Sequence, residues 1–68
     1  MAIGNRLKTL RTEQNKTLGE VAEYLGVDKR TIQHYESDAR KPDYEKLVKL
    51  ADLYGVSTDY LLGRTDKK

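Results

Sequence analysis

Residues 17–37 read TLGEVAEYLGVDKRTIQHYES, and this pattern predicts two short helices joined by a tight turn. Thr17 and Glu20 have the spacing of a capping box, in which each side chain accepts a hydrogen bond from the other residue's backbone amide. A helix should therefore begin there. Gly26 is able to take the left-handed conformation that ends a helix. Asp28 follows two residues later as a good N-cap for the next helix.

The two predicted helices also carry the residue sizes that a steep crossing requires. Ala22 is small enough, midway along the first helix, to admit the second, and Ile32 is bulky enough to fill the wedge between them. Gly26 avoids the roughly 1 to 2 kcal/mol that a left-handed conformation costs a residue with a Cβ atom. This joint spacing predicts a helix-turn-helix. Its second helix would protrude as a rod about 10 to 12 Å across, which matches a DNA major groove about 12 Å wide.

Apolar residues keep a helical period through the rest of the chain, and no segment alternates as a β-strand does. One helix is predicted before this stretch, a fourth after the N-cap Asp43 and a short fifth after Ser57. The predicted buried stripe of the fourth helix is Tyr44, Leu47, Val48, Ala51 and Tyr54. We therefore expect an all-α domain of five helices over residues 1–63, followed by a disordered tail over residues 64–68.

The composition excludes several classes of function. The chain has 68 residues, no Cys and one His, so a disulfide framework and the usual zinc sites are ruled out. No pairing of a nucleophile with a base suggests an enzyme, and no cofactor is expected. No apolar run exceeds three residues, so we expect neither a signal peptide nor a membrane span and interpret the chain as a cytoplasmic domain. The net charge of +2 permits an anionic partner without requiring one.

The outward face of the third helix carries the polar side chains that direct readout of DNA uses. Lys29 and Arg30, at its N-terminal end, are placed to bind guanine O6 and N7 in a major groove. Gln33 and His34, one turn later, are able to meet adenine, guanine or phosphate. Phosphates of the DNA backbone would be held on both sides of this helix. The residues expected to make backbone contacts there are Lys16, Thr17, Ser37, Arg40 and Lys41.

Further features extend this pattern over nearly the whole chain. They are Arg11, Leu25-Gly26-Val27, Ile32, Tyr35-Glu36, Pro42, and the stretch from Leu47 to Leu62 with Leu50-Ala51 and Gly55-Val56-Ser57. With them the chain resembles the Cro and phage-repressor type of helix-turn-helix regulator, also called Xre-like. The resemblance implies a five-helix, lambda-repressor-like DNA-binding domain. It also implies a two-fold dimer that binds operator DNA and represses or activates transcription.

The resemblance assigns roles to individual residues of the third helix. The family's main base-reading positions correspond here to Lys29, Arg30 and His34. Its auxiliary positions correspond to Thr31 and Gln33, and we expect Thr31 to contact the DNA backbone.

The resemblance also concerns residues outside the DNA-facing surface. Arg11 and Glu36 match the family's internal ion pair, and because both lie beside apolar stripes, we expect the pair to be partly buried. Two positions depart from the family's pattern. Leu18 stands where a Gln often contacts phosphate, and Leu cannot donate a hydrogen bond. Asp38 stands where Gly is usual, so Asp38 must accept a left-handed conformation.

We therefore expect a sequence-specific regulator of transcription, a repressor of bacterial or phage type, that binds double-stranded DNA as a homodimer. Two-fold symmetry predicts a palindromic operator with half-sites about 34 to 36 Å apart. The dimer interface is expected at Tyr60, Leu62 and Arg64. The alternative is a protein-interaction module that keeps the helix-turn-helix fold without binding an operator, an interpretation that Leu18 favours.

Overall fold

The computed structural model describes residues 3–68, and these residues form five α-helices. The helices are α1 (Ile3–Glu13), α2 (Leu18–Leu25), α3 (Lys29–Glu36), α4 (Tyr44–Tyr54) and α5 (Thr58–Leu61). The described residues contain no strand, so the predicted all-α class with five helices is confirmed. The predicted start of the domain at residue 1 lies outside the described range. None of the helices between residues 3 and 68 has the length and apolar character that crossing a bilayer requires.

Four helices are capped at their N-termini by the side chains that the sequence predicts. The Thr17 hydroxyl accepts from the Glu20 amide at 3.1 Å, and the Glu20 carboxylate accepts from the Thr17 amide at 2.8 Å, which completes the capping box of α2. The side chains of Asp28, Asp43 and Ser57 each accept a hydrogen bond from a backbone amide in the first turn of α3, α4 and α5, respectively. A cap of this kind contributes about 0.5 to 2 kcal/mol relative to alanine.

The turn between α2 and α3 has the predicted geometry. Gly26 adopts φ 75° and ψ 31°, the left-handed conformation, and its amide donates to the carbonyl oxygens of Ala22 and Glu23. Ala22 and Ile32 are both buried, and α2 packs on α3, as the predicted wedge requires. The apolar residues buried around them are Val21, Leu25 and Tyr35.

The buried stripe of α4 differs in part from the one that we predicted. Leu47, Ala51 and Tyr54 are buried as expected, and Leu50 joins them with 2% of its surface exposed. Tyr44 and Val48 were predicted in the core, but they are 84% and 40% exposed. Tyr44 and Val48 both lie to one side of the buried face of α4, which is formed by Leu47, Leu50, Ala51 and Tyr54.

α1 packs so closely on the end of α3 that only glycine fits at position 4. A Cβ atom on Gly4 would lie 2.6 Å from the carbonyl oxygen of Tyr35, and closer still to that of Glu36. Asp38 directly follows this end of α3 at φ 64°, so its expected left-handed conformation is confirmed. The Asp38 carboxylate accepts a hydrogen bond from the Gly4 amide at 3.0 Å. The start of α1 and the end of α3 are thereby tied together.

The last five residues, which we expected to be a disordered tail, make polar contacts with α1 and with Ser57. The Arg6 guanidinium donates to the carbonyl oxygens of Tyr60 and Thr65, at 2.9 and 3.0 Å. The Ser57 amide donates to the carbonyl oxygen of Lys68 at 2.8 Å. The prediction of disorder relied on the absence of apolar residues in the tail. These contacts are all polar, so an apolar pattern cannot indicate them.

Candidate nucleic-acid interface

α3 turns one face to the core and the other to solvent. Ile32 and Tyr35 are buried on the inner face. The outer face carries the four residues predicted to contact bases, of which the first three are exposed and the fourth is half-buried: Lys29, Arg30, Gln33 and His34. The structure thus brings these four side chains onto a single surface of one helix.

The first turns of α2 and α3 lie side by side. The δ-carbon of Lys29 lies 3.8 Å from where a Cβ atom on Gly19 would stand, so the aliphatic part of Lys29 passes the first turn of α2. Thr17 caps that turn with its hydroxyl oxygen. The amides of Leu18 and Gly19 belong to the first turn, where a helix has no internal acceptor for them. One edge of the molecule therefore presents Lys29 beside unused hydrogen-bond donors.

Two carboxylates at this edge are engaged in capping. Hydrogen bonds from the Thr17 amide and hydroxyl keep the pKa of Glu20 below its usual value. Hydrogen bonds from the Thr31 amide and hydroxyl, at 3.0 and 2.9 Å, likewise lower the pKa of Asp28. Both groups therefore stay ionised at helix starts, where the helix dipole offsets their charge. The hydroxyl proton of Thr31 is committed to Asp28, so this arrangement leaves Thr31 without the free donor that a phosphate contact needs.

The loop after α3 is anchored to the helix by backbone hydrogen bonds. The Ser37 amide donates to the Gln33 carbonyl at 2.9 Å, and the Arg40 amide donates to the His34 carbonyl at 3.2 Å. The side chains of Ser37, Arg40 and Lys41 are all exposed. Two cations are thus held beside the C-terminal end of α3.

The ion pair expected between Arg11 and Glu36 is present and mostly shielded from solvent. The Arg11 Nε lies 2.6 Å from Glu36 Oε2, and Nη2 lies 3.1 Å from Oε1, in a bidentate arrangement with the side chains 14% and 8% exposed. The hydrogen bond to Glu36 raises the pKa of Arg11, and burial opposes it. Arg11 also donates to the carbonyl oxygen of Lys16 at 3.1 Å. One guanidinium therefore fixes α1, α3 and the segment before α2 relative to one another.

The cations of the described residues divide into two sets. Those within 4.0 Å of a carboxylate are Arg6, Arg11, Lys46, Lys49, Arg64 and Lys68. Those of residues 3–68 without such a partner are Lys8, Lys16, Lys29, Arg30, Arg40, Lys41 and Lys67. Five residues of this second set were predicted to contact DNA, namely Lys16, Lys29, Arg30, Arg40 and Lys41. Cations that the protein's own carboxylates leave unpaired are available to phosphates.

The three residues expected at a dimer interface differ in their surroundings. Arg6 stacks over the Tyr60 ring at 4.2 Å, which leaves that ring half-buried. Arg64 lies 3.6 Å from the Asp59 carboxylate. Leu62 is 40% exposed. Of the two apolar residues among the three, Leu62 is therefore the more exposed.

Gly4 and Asp38 position the outer face of α3, and neither was predicted to do so. A glycine in the first turn of a helix was a signal that two backbones approach closely, because glycine is an unfavourable helix residue. The cap that Asp38 provides spans 34 residues of sequence, and no local pattern indicates it.

This fold and this surface define the class of helix-turn-helix domains. A family model described as Helix-turn-helix matches residues 7–61. The chain belongs to this family, in its Xre-like branch, which consists of DNA-binding transcriptional regulators and not of enzymes.

Individual relatives agree with this assignment. The chain is 46% identical to the HTH-type transcriptional regulator ImmR of Bacillus subtilis (strain 168), over 97% of its own length and 52% of ImmR. The crystal structure of the biofilm master regulator SinR, a Bacillus subtilis protein, in complex with DNA is similar with a TM-score of 0.79 and 34% identity. That match covers 88% of this chain and 97% of the SinR chain.

A third comparison bears on the fold alone. The P22 c2 repressor, crystallised with a synthetic operator, has a TM-score of 0.85 to this chain at 24% identity, over 90% of this chain and 92% of the repressor. The expected lambda-repressor-like architecture is confirmed. The chain spans about half the length of the curated relatives it matches.

Proposed function

We propose that this chain is the DNA-binding domain of a sequence-specific transcriptional repressor that inserts α3 into the major groove of double-stranded DNA. The observation that carries the proposal is the distribution of charge. Five of the seven unpaired cations lie on α3, on the segment before α2 and on the loop after α3, while four of the six paired cations lie on α4 and in the tail. A helix about 10 to 12 Å across fits a groove about 12 Å wide. The DNA-bound structure of SinR, at 34% identity, supports the same partner.

The outer face of α3 would read the base sequence. Lys29 and Arg30 donate to guanine O6 and N7 at the N-terminal end of α3, and a good bidentate contact discriminates against a wrong base by about 1 to 3 kcal/mol. Gln33 and His34 meet a base edge or a phosphate one turn further along. Recognition of sequence thus belongs to side chains whose backbone is fixed by the buried inner face of the same helix.

The flanks of α3 would set affinity and register. Lys16 and Thr17 on one side, and Arg40 and Lys41 on the other, bind phosphates, which carry no sequence information. Ser37 adds an exposed hydroxyl at the end of α3. Each phosphate that is neutralised makes binding more sensitive to salt.

A second copy of the chain would contact the other half of the operator. Two-fold symmetry then calls for an imperfect palindrome with half-sites about 34 to 36 Å apart. We centre the dimer contact on Leu62, which lines a groove with Pro42 and Leu47. Tyr60 and Arg64 would lie at its border, because both already have intramolecular partners.

Selection of bound duplexes from a random pool tests the proposal. The wild-type chain should enrich a palindromic sequence with two half-sites one helical turn apart. A double variant, Lys29→Ala with Arg30→Ala, keeps the buried face of α3 and serves as the matched control, and it should enrich no such sequence. If the wild type enriches nothing beyond this control, and its binding does not respond to salt, the chain is a protein-interaction module instead.

A further inference from the structure

A groove opens between α1, the first residue of α2 and the outward face of α3. Its volume is about 280 Å³, and its lining residues are Lys8, Arg11, Leu18, Gln33, Glu36 and Ser37. Gln33 and Ser37 already belong to the proposed DNA-facing surface. The groove therefore continues that surface from α3 onto α1.

The groove has a positive charge that no lining carboxylate cancels. Glu36 is the one acidic residue in the lining, and both of its oxygens accept hydrogen bonds from Arg11, at 2.6 and 3.1 Å. Lys8 is exposed, and no carboxylate among residues 3–68 lies within 4.0 Å of it. An anion that enters the groove therefore meets an unpaired ammonium group.

Neutral hydrogen-bond donors line the same groove. The Gln33 amide is exposed, and the Ser37 hydroxyl has a long bond of 3.3 Å to the His34 carbonyl oxygen that an outside acceptor can replace. Leu18 contributes an apolar wall and no donor. An ammonium, an amide and a hydroxyl around an open groove are the groups that hold phosphate oxygens in protein–DNA complexes.

We propose that this groove binds a phosphate of the DNA backbone and that Lys8 neutralises it. The inference rests on the proposed function and adds a contact from α1, outside the helix-turn-helix. It accounts for how the strand is anchored near the start of α2 although Leu18 offers no side-chain hydrogen bond there. Because the partner is a phosphate, Lys8 strengthens binding to every sequence alike.

The test measures how binding to a random-sequence duplex responds to salt, using the full chain and fluorescence anisotropy at about 30 to 200 mM salt. The variants are Lys8→Ala, Lys8→Arg and Lys67→Ala. Lys67 is the matched control, because it is also exposed and unpaired but belongs to the tail, which packs on α1 through Arg6. Arg6 and Lys8 are two residues apart on α1 and so point to different sides of the helix.

Lys8→Ala should reduce the slope of log K against log salt by about 0.9, the value for one phosphate contact. Lys8→Arg should keep the wild-type slope, and Lys67→Ala should be indistinguishable from wild type. Circular dichroism should show all three variants folded, since both lysines are exposed.

The two proposals fail in different ways. If Lys8→Ala changes the slope no more than Lys67→Ala does, the phosphate contact in the groove is wrong and the proposed function stands. The same holds if Lys8→Arg loses as much of the slope as Lys8→Ala. If wild-type binding does not depend on salt, the proposed function fails and the inference fails with it.

Discussion

The carboxylate of Asp38 accepts a 3.0 Å hydrogen bond from the backbone amide of Gly4, which lies 34 residues earlier in the chain. Asp38 directly follows α3 and its C-cap, and Gly4 lies in the first turn of α1. One side chain therefore caps α1 and holds its start against the end of the helix that faces DNA. Aspartate tolerates the left-handed backbone at φ 64° better than most residues with a Cβ atom, so it meets both requirements.

Asp38→Ala should lower the free energy of unfolding by roughly 1 to 3 kcal/mol, because alanine loses the cap and is strained in a left-handed conformation. Asp38→Asn keeps a side-chain acceptor and tolerates this conformation, so it should stay within about 0.5 kcal/mol of wild type. Urea unfolding measures the free energy of unfolding of both variants. Equal losses in the two variants would contradict the capping role.

Gly4→Ala and Gly19→Ala should shift stability in opposite directions. A Cβ atom on Gly4 meets backbone carbonyl groups of α3 that cannot move aside, so we expect a loss of roughly 1 to 3 kcal/mol or more. A Cβ atom on Gly19 has only ordinary contacts, and alanine is the better helix residue, so a gain of about 0.5 to 1 kcal/mol is expected. Thermal unfolding of both variants measures these changes. A melting temperature of Gly4→Ala equal to that of wild type would show that α1 is not held against α3.

Glu36→Ala should cost about 3 kcal/mol, because it leaves the shielded guanidinium of Arg11 without its carboxylate. Replacing the pair by apolar residues, Arg11→Met with Glu36→Leu, should recover much of that loss, since no unpaired charge then remains. Denaturant unfolding of the two variants measures the difference. An unchanged midpoint for Glu36→Ala would mean that the pair is effectively solvated.

Tyr54 should make the fold sensitive to alkaline pH. Burial, and then the nearby Glu36 carboxylate, raise the pKa of its phenol from 10.0 to about 12, so the folded chain holds this proton more tightly than the unfolded chain. The resulting stability is fully present below about pH 10 and is lost as the pH rises to about 12, at most about 3 kcal/mol.

Tyr54→Phe is the control for this titration, because phenylalanine has no proton to lose. Its urea midpoint should fall less steeply than that of wild type between about pH 10 and pH 12. Parallel curves for the two proteins would show that Tyr54 does not titrate with this shift.

Much of the fold was predictable because its signals are local. The caps at Thr17, Asp28, Asp43 and Ser57 and the turn at Gly26 each depend on residues within one helical turn, and all are present. The small and bulky residues of the wedge, Ala22 and Ile32, also lie close together in the sequence. Short-range geometry was therefore enough to place α2 and α3.

The features that could not be predicted from the sequence are contacts between distant segments. Periodicity placed Tyr44 and Val48 on an apolar stripe, but which part of that stripe is covered depends on where α2 and α5 lie. The path of the tail depends on Arg6, a residue about 60 positions away that pairs with Asp66. The groove around Lys8 likewise exists only once α1, α2 and α3 are packed together.

Base reading by α3 is tested most directly by comparing Arg30→Ala with Arg40→Ala in the selection of duplexes from a random pool. Arg30→Ala should relax the preference at one base pair of each half-site and leave the other positions unchanged. Arg40→Ala should keep the selected sequence and weaken binding to all duplexes alike. If the two variants lose the same preferences by the same amounts, α3 does not read bases as we propose.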